Sequence, residues 1–404
     1  MERVRSHWPL YSLLIVGLIF RLYLWKRTGV YLYGDMLRYN AMAMHVVLSG
    51  YLGLGSGPSA FVTPLYPMFL AFLYKLSMLL HGGHLLAQTR LVHEAFLAQQ
   101  VLSLVTLALT YYIGAALGNR YVGFAAGVLS LLYLPNSFIG MLLLTEALFM
   151  PALFATVAAF IRAEQKGGVI WYAVTGALLG ITTLVRPTVL PLWAVFLFLM
   201  WWRWMSARRR GADLPFWKPA LWMTAALVVV MLPWWVRNFI DFHKFIPLST
   251  EAGNPLLAGA IPYFRVNVDK LIQASRTLNE SQQTYAIHYI LYGFTHHFLY
   301  YAGWYLFGKL PYLLWQPYLY DFLPAFVLFH QVCVIVGALA ALVLIVKPSA
   351  RGVAFTSLYL LVVQLGFLPL ARYGYPVVAL WLILIPAAAY YAWNWLAKER
   401  KTRQ

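Results

Sequence analysis

The chain has 404 residues, of which 62% are hydrophobic and 10% charged, and 30 Lys and Arg against 12 Asp and Glu give a net charge of +18. A soluble domain is about a quarter charged and cannot hide this much apolar surface, so a water-soluble fold is excluded and hydrocarbon must solvate most of the chain. The basic residues sit in short loops between apolar runs, which points to a lipid bilayer with anionic headgroups and not to nucleic acid.

A spanning helix needs about 20 mostly apolar residues. Ten runs qualify, near 9–25, 94–117, 121–138, 143–162, 169–186, 187–204, 219–236, 323–346, 352–370 and 374–395. The expected fold is therefore an all-α polytopic membrane protein, a single membrane domain over 1–404 with about ten transmembrane helices. Arg3 and Arg5 precede the first run and no small-residue cleavage site follows it, so it reads as an uncleaved span. Basic loops face the cytoplasm. With the N-terminus inside, alternation places Arg120, then Arg162 and Lys166, then Arg203, Arg208, Arg209, Arg210 and Lys218 on that side. Lys347 and Arg351 join them, as do Lys398, Arg400, Lys401 and Arg403, so both termini are expected in the cytoplasm.

Two segments fall outside by the same alternation. The first, 26–93, is expected to carry juxtamembrane helices. The second, 237–322, is rich in Tyr, Trp and His, whose rings prefer the headgroup level. The Gly-Lys-Leu-Pro at 308–311 is predicted to break any helix there. The single cysteine, Cys333, lies in an apolar run, which leaves no internal disulfide and no cysteine metal site.

The outer polar residues are a short list. Asp35 lies in Tyr-Gly-Asp-Met-Leu-Arg-Tyr, and a helix from here puts Asp35, Arg38, Tyr39, Met42 and His45 near one face. Its carboxylate can deprotonate or orient an acceptor hydroxyl, or serve as a helix N-terminal acid paired with Arg38. Thr145-Glu146 opens the fourth span, as a cap and first-turn acid or as a second carboxylate in the same cavity. Arg186, Arg237 of Pro-Trp-Trp-Val-Arg-Asn (233–238) and Arg372 end spans on the outer face, against the inside bias. Arg with adjacent donors is the expected grip for phosphate, which makes these three the candidates for a lipid phosphate, supported by Asn238, Tyr373 and Tyr39. His296 and His297 are adjacent and do not face one way on a helix. No cofactor is expected, and the case for a divalent metal is weak.

The order of these elements resembles a family. Arg21 ends span one; Asp35 and Tyr39 follow, then Thr-Pro-Leu-Tyr-Pro (63–67), Thr145-Glu146 and Gly-Ile-Thr-Thr-Leu-Val-Arg-Pro (180–187). Pro-Trp-Trp-Val-Arg-Asn, Phe-Ile-Pro-Leu-Ser-Thr (245–250) and Arg372-Tyr373 close the series. Over roughly residues 10 to 390, this is similar to the dolichyl-phosphate-mannose protein mannosyltransferase-like family, within the membrane glycosyltransferases of the C-type fold. It is similar too to the bacterial members that act on lipid A or other cell-envelope glycans. The resemblance implies a bacterial plasma membrane protein that moves a sugar from a polyprenyl-monophosphate donor to an extracytoplasmic acceptor (envelope glycan, lipid or protein), usually with inversion. It implies Asp35 as base or acceptor-orienting residue and the Arg of the Arg-Pro, Arg-Asn and Arg-Tyr elements as phosphate ligands. Many relatives read Asp-Glu at the first motif; here Met36 follows Asp35, which weakens any metal role.

Two rival readings remain at this stage. A transporter or flippase predicts ionisable residues near the bilayer midplane and two related halves; here they concentrate at span ends, and no internal repeat stands out. An envelope polymerase or ligase using a lipid diphosphate shares the outer arginines.

Overall fold

The computed structural model describes residues 8–55, 57–212, 214–250, 253–318 and 323–402. Arg3, Arg5 and Arg403 lie outside the described residues, as does the side chain of Lys401. The first helix, α1 (Trp8–Arg27), leads to α2 (Asp35–Ser49). A hairpin of β1 (Gly53–Leu54) and β2 (Gly57–Pro58) pairs Gly53 with Pro58 and Leu54 with Gly57. Then come α3 (Leu65–Leu80), α4 (Gln88–Leu117), α5 (Arg120–Leu132) and the short α6 (Pro135–Phe138). The middle of the chain forms α7 (Glu146–Lys166), α8 (Val169–Val185), α9 (Leu192–Arg208) and α10 (Trp217–Phe242). The aromatic segment folds as α11 (Gly253–Gly259), α12 (Val268–Thr277), α13 (Gln282–His296), α14 (Phe298–Gly303) and α15 (Lys309–Leu314). The chain closes with α16 (Pro324–Leu344), α17 (Arg351–Leu365) and α18 (Ala371–Thr402).

The protein is an integral, multi-pass, all-α membrane protein. Among the described residues, seven helices are long and apolar enough to cross a bilayer: α1, α4, α7, α9 with the turn before it, α10, α16 and α18. An eighth crossing is formed if α5 and the Pro135–Met141 turns count as one span bent by 73°. The runs predicted at 169–186 and 352–370 form α8 and α17, of 17 and 15 residues, short of the roughly 20 that cross straight. Both stop for a visible reason. Pro187 disfavours helix at Arg186, and Gly366 with Pro369 ends α17. The apolar α3, in the first predicted outer segment, is 16 residues long.

With no hydrophobic drive between helices in lipid, close approach depends on small residues. The tightest case is α8 against α10. A Cβ on Gly176 would lie 1.9 Å from the Met223 carbonyl oxygen. Gly374 does the same where α18 starts: a Cβ there would lie 1.8 Å from the Leu313 carbonyl of α15. Arg21, read as closing the first span, is instead buried in it. It donates to Ser103 Oγ and to the Gly17 and Asn136 carbonyls.

The predicted break at 308–311 does not occur. The helix widens into a π turn over Trp304–Gly308 and resumes as α15. Pro311 falls just after the π turn, where the regular i to i−4 hydrogen-bond ladder is already interrupted. Lys309 is fully buried. Its Nζ donates to the carbonyls of Leu365, the last residue of α17, at 2.6 Å and of Phe367, just past it, at 3.1 Å, and lies 3.9 Å from the Tyr305 ring centre. Burial pushes this ammonium from 10.5 down to about 7. The unfolded chain keeps the proton up to about 10.5, so the folded state is penalised most below 7 and gains stability as pH rises from 7 towards 10.5. The thermal unfolding midpoint in detergent is therefore expected to rise between pH 7 and 9. Lys309→Met should remove that rise; an unchanged pH slope in the variant would assign it to other groups.

Candidate active site

Six helix ends and parts of the segments 26–93 and 237–322 meet around a cavity of about 350 Å³. Asp35 and Tyr39 come from the start of α2, Thr145 from the entry to α7, and Arg186 from the end of α8. Pro191 precedes α9, Gln364 ends α17, and Arg372 and Tyr373 start α18. Leu248 and Ser249 supply one wall.

A continuous ion-pair chain runs along this cavity. Glu146 is completely buried, a costly state for a carboxylate unless cations and hydrogen bonds surround it. Arg186 Nη2 donates to Glu146 Oε1 at 2.7 Å. Arg372 donates to the same carboxylate through Nε and, at 3.2 Å, through Nη2. The remaining Arg372 nitrogen, Nη1, reaches Asp35 Oδ2 at 2.7 Å. Arg372 thus bridges the buried carboxylate to the accessible one, whose side chain is 36% exposed. Arg38 stands 3.6 Å from Asp35 Oδ1. Thr145 does not cap α7 through its side chain. Its hydroxyl instead donates to Glu146 Oε2 and accepts from Arg186 Nε, both at 3.2 Å. Tyr373 lies 5.4 Å from the Arg186 guanidinium and 5.9 Å from that of Arg372, and Tyr39 is buried edge-on against Tyr66.

Asp35 and Glu146 balance Arg186 and Arg372 in charge. Among the described residues, no three His, Cys, Asp or Glu side chains gather into a metal-ligand group. The donor set leaves no excess of carboxylate for a divalent ion.

No family model matches the chain, and neither does any curated protein sequence. Solved structures do match. The apo oligosaccharyltransferase of Archaeoglobus fulgidus superposes with a TM-score of 0.61 at 12% identity, covering 100% of this chain and 52% of that one. The same organism's enzyme AglB, in complex with an inhibitory peptide and a dolichol-phosphate, gives a TM-score of 0.60 at 12% identity, covering 99% of this chain and 52% of that one. This is the C-type glycosyltransferase fold. The chain spans about half the length of those oligosaccharyltransferases.

Within the C-type fold, the predicted site residues separate into two groups. Asp35, Tyr39, Arg186, Arg372 and Tyr373 line the cavity, and Glu146 lies behind it. Arg237 and Asn238 do not line it. Arg237 pairs with Asp241 at 2.8 Å and donates to the Ser59 and Leu52 carbonyls at 3.1 and 3.0 Å. Asn238 donates to the Ile246 carbonyl at 2.9 Å, and Trp234 to that of Leu248 at 2.7 Å. The Pro-Trp-Trp-Val-Arg-Asn element therefore clips the 52–59 and 246–248 stretches onto α10 and holds the wall that carries Leu248 and Ser249. Arg237→Ala should leave two carbonyls and Asp241 without their cation, lowering stability by about 2–3 kcal/mol. A lowered unfolding midpoint with any transfer activity reduced less than tenfold is the expected result. A loss of donor binding without loss of stability would return Arg237 to the phosphate.

Sequence reasoning passed over Thr63, Thr188, Ser249 and Gln364 as individual residues, and all four line the cavity. Gln364 carried a signal of its own, as a lone amide in the apolar run Leu-Leu-Val-Val-Gln-Leu.

Proposed function

We propose that the chain is a glycosyltransferase that moves a sugar from a polyprenyl-monophosphate donor to the hydroxyl of an extracytoplasmic acceptor, with inversion. The observation that carries this reading is the accessible Asp35 carboxylate joined through Arg372 to buried Glu146, with Arg186 beside it in one cavity. The likeness of fold to an enzyme captured with a dolichol-phosphate supports it. In this reading both termini lie inside and the cavity lies outside, opposite the basic loops.

Asp35 accepts the proton of the acceptor hydroxyl as its oxygen attacks the anomeric carbon. The new carbon–oxygen bond forms on the face opposite the phosphate, and the anomeric carbon–phosphate oxygen bond breaks. The departing phosphate gains negative charge, which Arg186 stabilises from the cavity wall. Arg186 has Nε and Nη2 committed to Thr145 and Glu146, so the ring of donors is fixed before the substrate arrives. Arg372 orients Asp35, and Tyr373 covers both guanidinium groups.

The test is a transfer assay with purified protein and a panel of polyprenyl-phosphate sugars. Wild type should consume at least one donor, and Arg186→Ala should raise donor KM and lower kcat by about 10²–10³-fold. If wild type consumes no donor, including when acceptor extracts of the cell envelope are supplied, the reading is overturned.

A further inference from the structure

Three helices that end at the transfer site also share their other ends. The far end of α7 carries Glu164, the far end of α9 carries Arg203 and Ser206, with Arg210 just beyond, and α17 begins at Arg351. At 1.5 Å per residue, the 21-residue α7 separates the two sites by about 30 Å. At this second end lies another cavity, of about 320 Å³. Its floor is apolar and buried (Phe160, Ile161, Leu199) and its rim is basic. Three arginines, Arg203, Arg210 and Arg351, face one glutamate there. Arg203 pairs with Glu164 at 3.3 Å. Among the described residues, Arg210 and Arg351 have no carboxylate within ion-pair distance. Arg210 Nε donates only to the Ser206 carbonyl of its own helix. Arg351 lies over Trp202, 4.1 Å from the ring centre, and donates to the Ile345 and Val346 carbonyls.

A second groove adjoins this cavity at Ser206. It is lined by Phe198, Trp201, Trp202 and Met205 and closed by Arg209. Phe198 and Trp201 are each 44% exposed, on a helix that crosses the bilayer. A basic, polar-rimmed cavity beside an apolar groove on the lipid-facing side matches one kind of ligand: an anion with a hydrocarbon chain attached. Arg guanidinium binds phosphate through several N–H donors at once, and the aromatic groove offers the chain a place that water does not.

We propose that the cavity between the far ends of α7, α9 and the start of α17 binds the phosphodiester headgroup of an anionic phospholipid, with one acyl chain along Phe198, Trp201 and Trp202. With the termini inside, as proposed above, this end lies in the cytoplasmic leaflet, where anionic lipids attract clustered arginines. The apolar groove selects a lipid over a soluble phosphate, and the arginine excess selects an anionic headgroup over a zwitterionic one. Neither Arg210 nor Arg351 touches the transfer site, so the lipid site stands or falls by its own measurement.

That measurement is native mass spectrometry of the detergent-solubilised full chain titrated with phosphatidylglycerol, phosphatidylcholine or inorganic phosphate. Wild type should retain phosphatidylglycerol and show a higher unfolding midpoint with it. Phosphatidylcholine and inorganic phosphate should be retained at least tenfold more weakly. Arg210→Gln should weaken phosphatidylglycerol about fivefold, and Arg210→Gln with Arg351→Gln more than tenfold. Arg210 is exposed and bonded to its own helix alone, so the single variant folds and remains informative if the double variant does not. Equal retention of phosphatidylglycerol by wild type and Arg210→Gln, or equal retention of phosphatidylcholine, overturns the proposal. Inorganic phosphate displacing the lipid at matched concentration would assign the cavity to a soluble anion instead.

Discussion

Asp35→Asn is expected to lower the transfer rate by about 10²- to 10⁴-fold, the range a positioned general base contributes, while donor KM and the unfolding midpoint stay near wild type. The substitution is close to isosteric. The amide oxygen can still accept from Arg372 Nη1, which holds Asp35 Oδ2 at 2.7 Å, so the bridge to Glu146 survives. What is lost is the capacity to take a proton. Donor KM should hold because the base acts on the acceptor and Arg186 grips the phosphate. A kcat loss without a KM change is therefore the signature, read from initial rates at saturating and limiting donor. Asp35→Asn with full activity would retire the base role and leave Asp35 as a helix N-terminal acid paired with Arg38 and Arg372.

Which candidate residues would line the cavity was more legible in the sequence than how they would pair. Arg186 and Arg372 stood out because arginine at an outer span end defies the inside bias, and Asp35 because carboxylates are rare in this chain. The sequence offered no means of seeing that Asp35 and Arg372, separated by 337 positions, share an ion pair. That contact exists only after α2 and α18 are docked. Arg237 shows the opposite failure. It carried the same signal as Arg186, an outer span end with polar neighbours, yet its guanidinium is spent on Asp241 and on carbonyls of residues 52 and 59. A charged residue's partners are set by tertiary structure, so position along a span cannot separate a ligand from a clip. The spans fared similarly. Hydropathy located the seven described helices long enough to cross but not the apolar α3, and the 73° bend between α5 and the following turns depends on a break just before Pro135. A sliding window averages over such a break, although the proline itself was visible. The membrane class was never in doubt, because composition alone excludes the alternatives.

Glu146→Gln should be the most damaging single change to the fold. Glu146 is fully buried and, among the described residues, is the only carboxylate that both Arg186 and Arg372 contact. Neutralising it leaves two guanidinium groups facing each other with Asp35 as their one remaining counter-charge. Breaking a buried pair from one side costs about 3–5 kcal/mol, because the partner stays desolvated without its charge. The expected outcome is a large fall in the unfolding midpoint and in the yield of folded protein, together with loss of transfer. The double variant Glu146→Gln, Arg186→Gln separates charge balance from catalysis. Removing one cation with the anion restores neutrality around Arg372, so stability should return towards wild type. Transfer should not return, since the phosphate has lost its ligand. If the double variant is no more stable than Glu146→Gln alone, the buried carboxylate acts through its hydrogen bonds to Thr145 and Arg372 and not through charge. If it recovers transfer along with stability, Arg186 does not serve the leaving phosphate, and Arg372 is left as the cation that does.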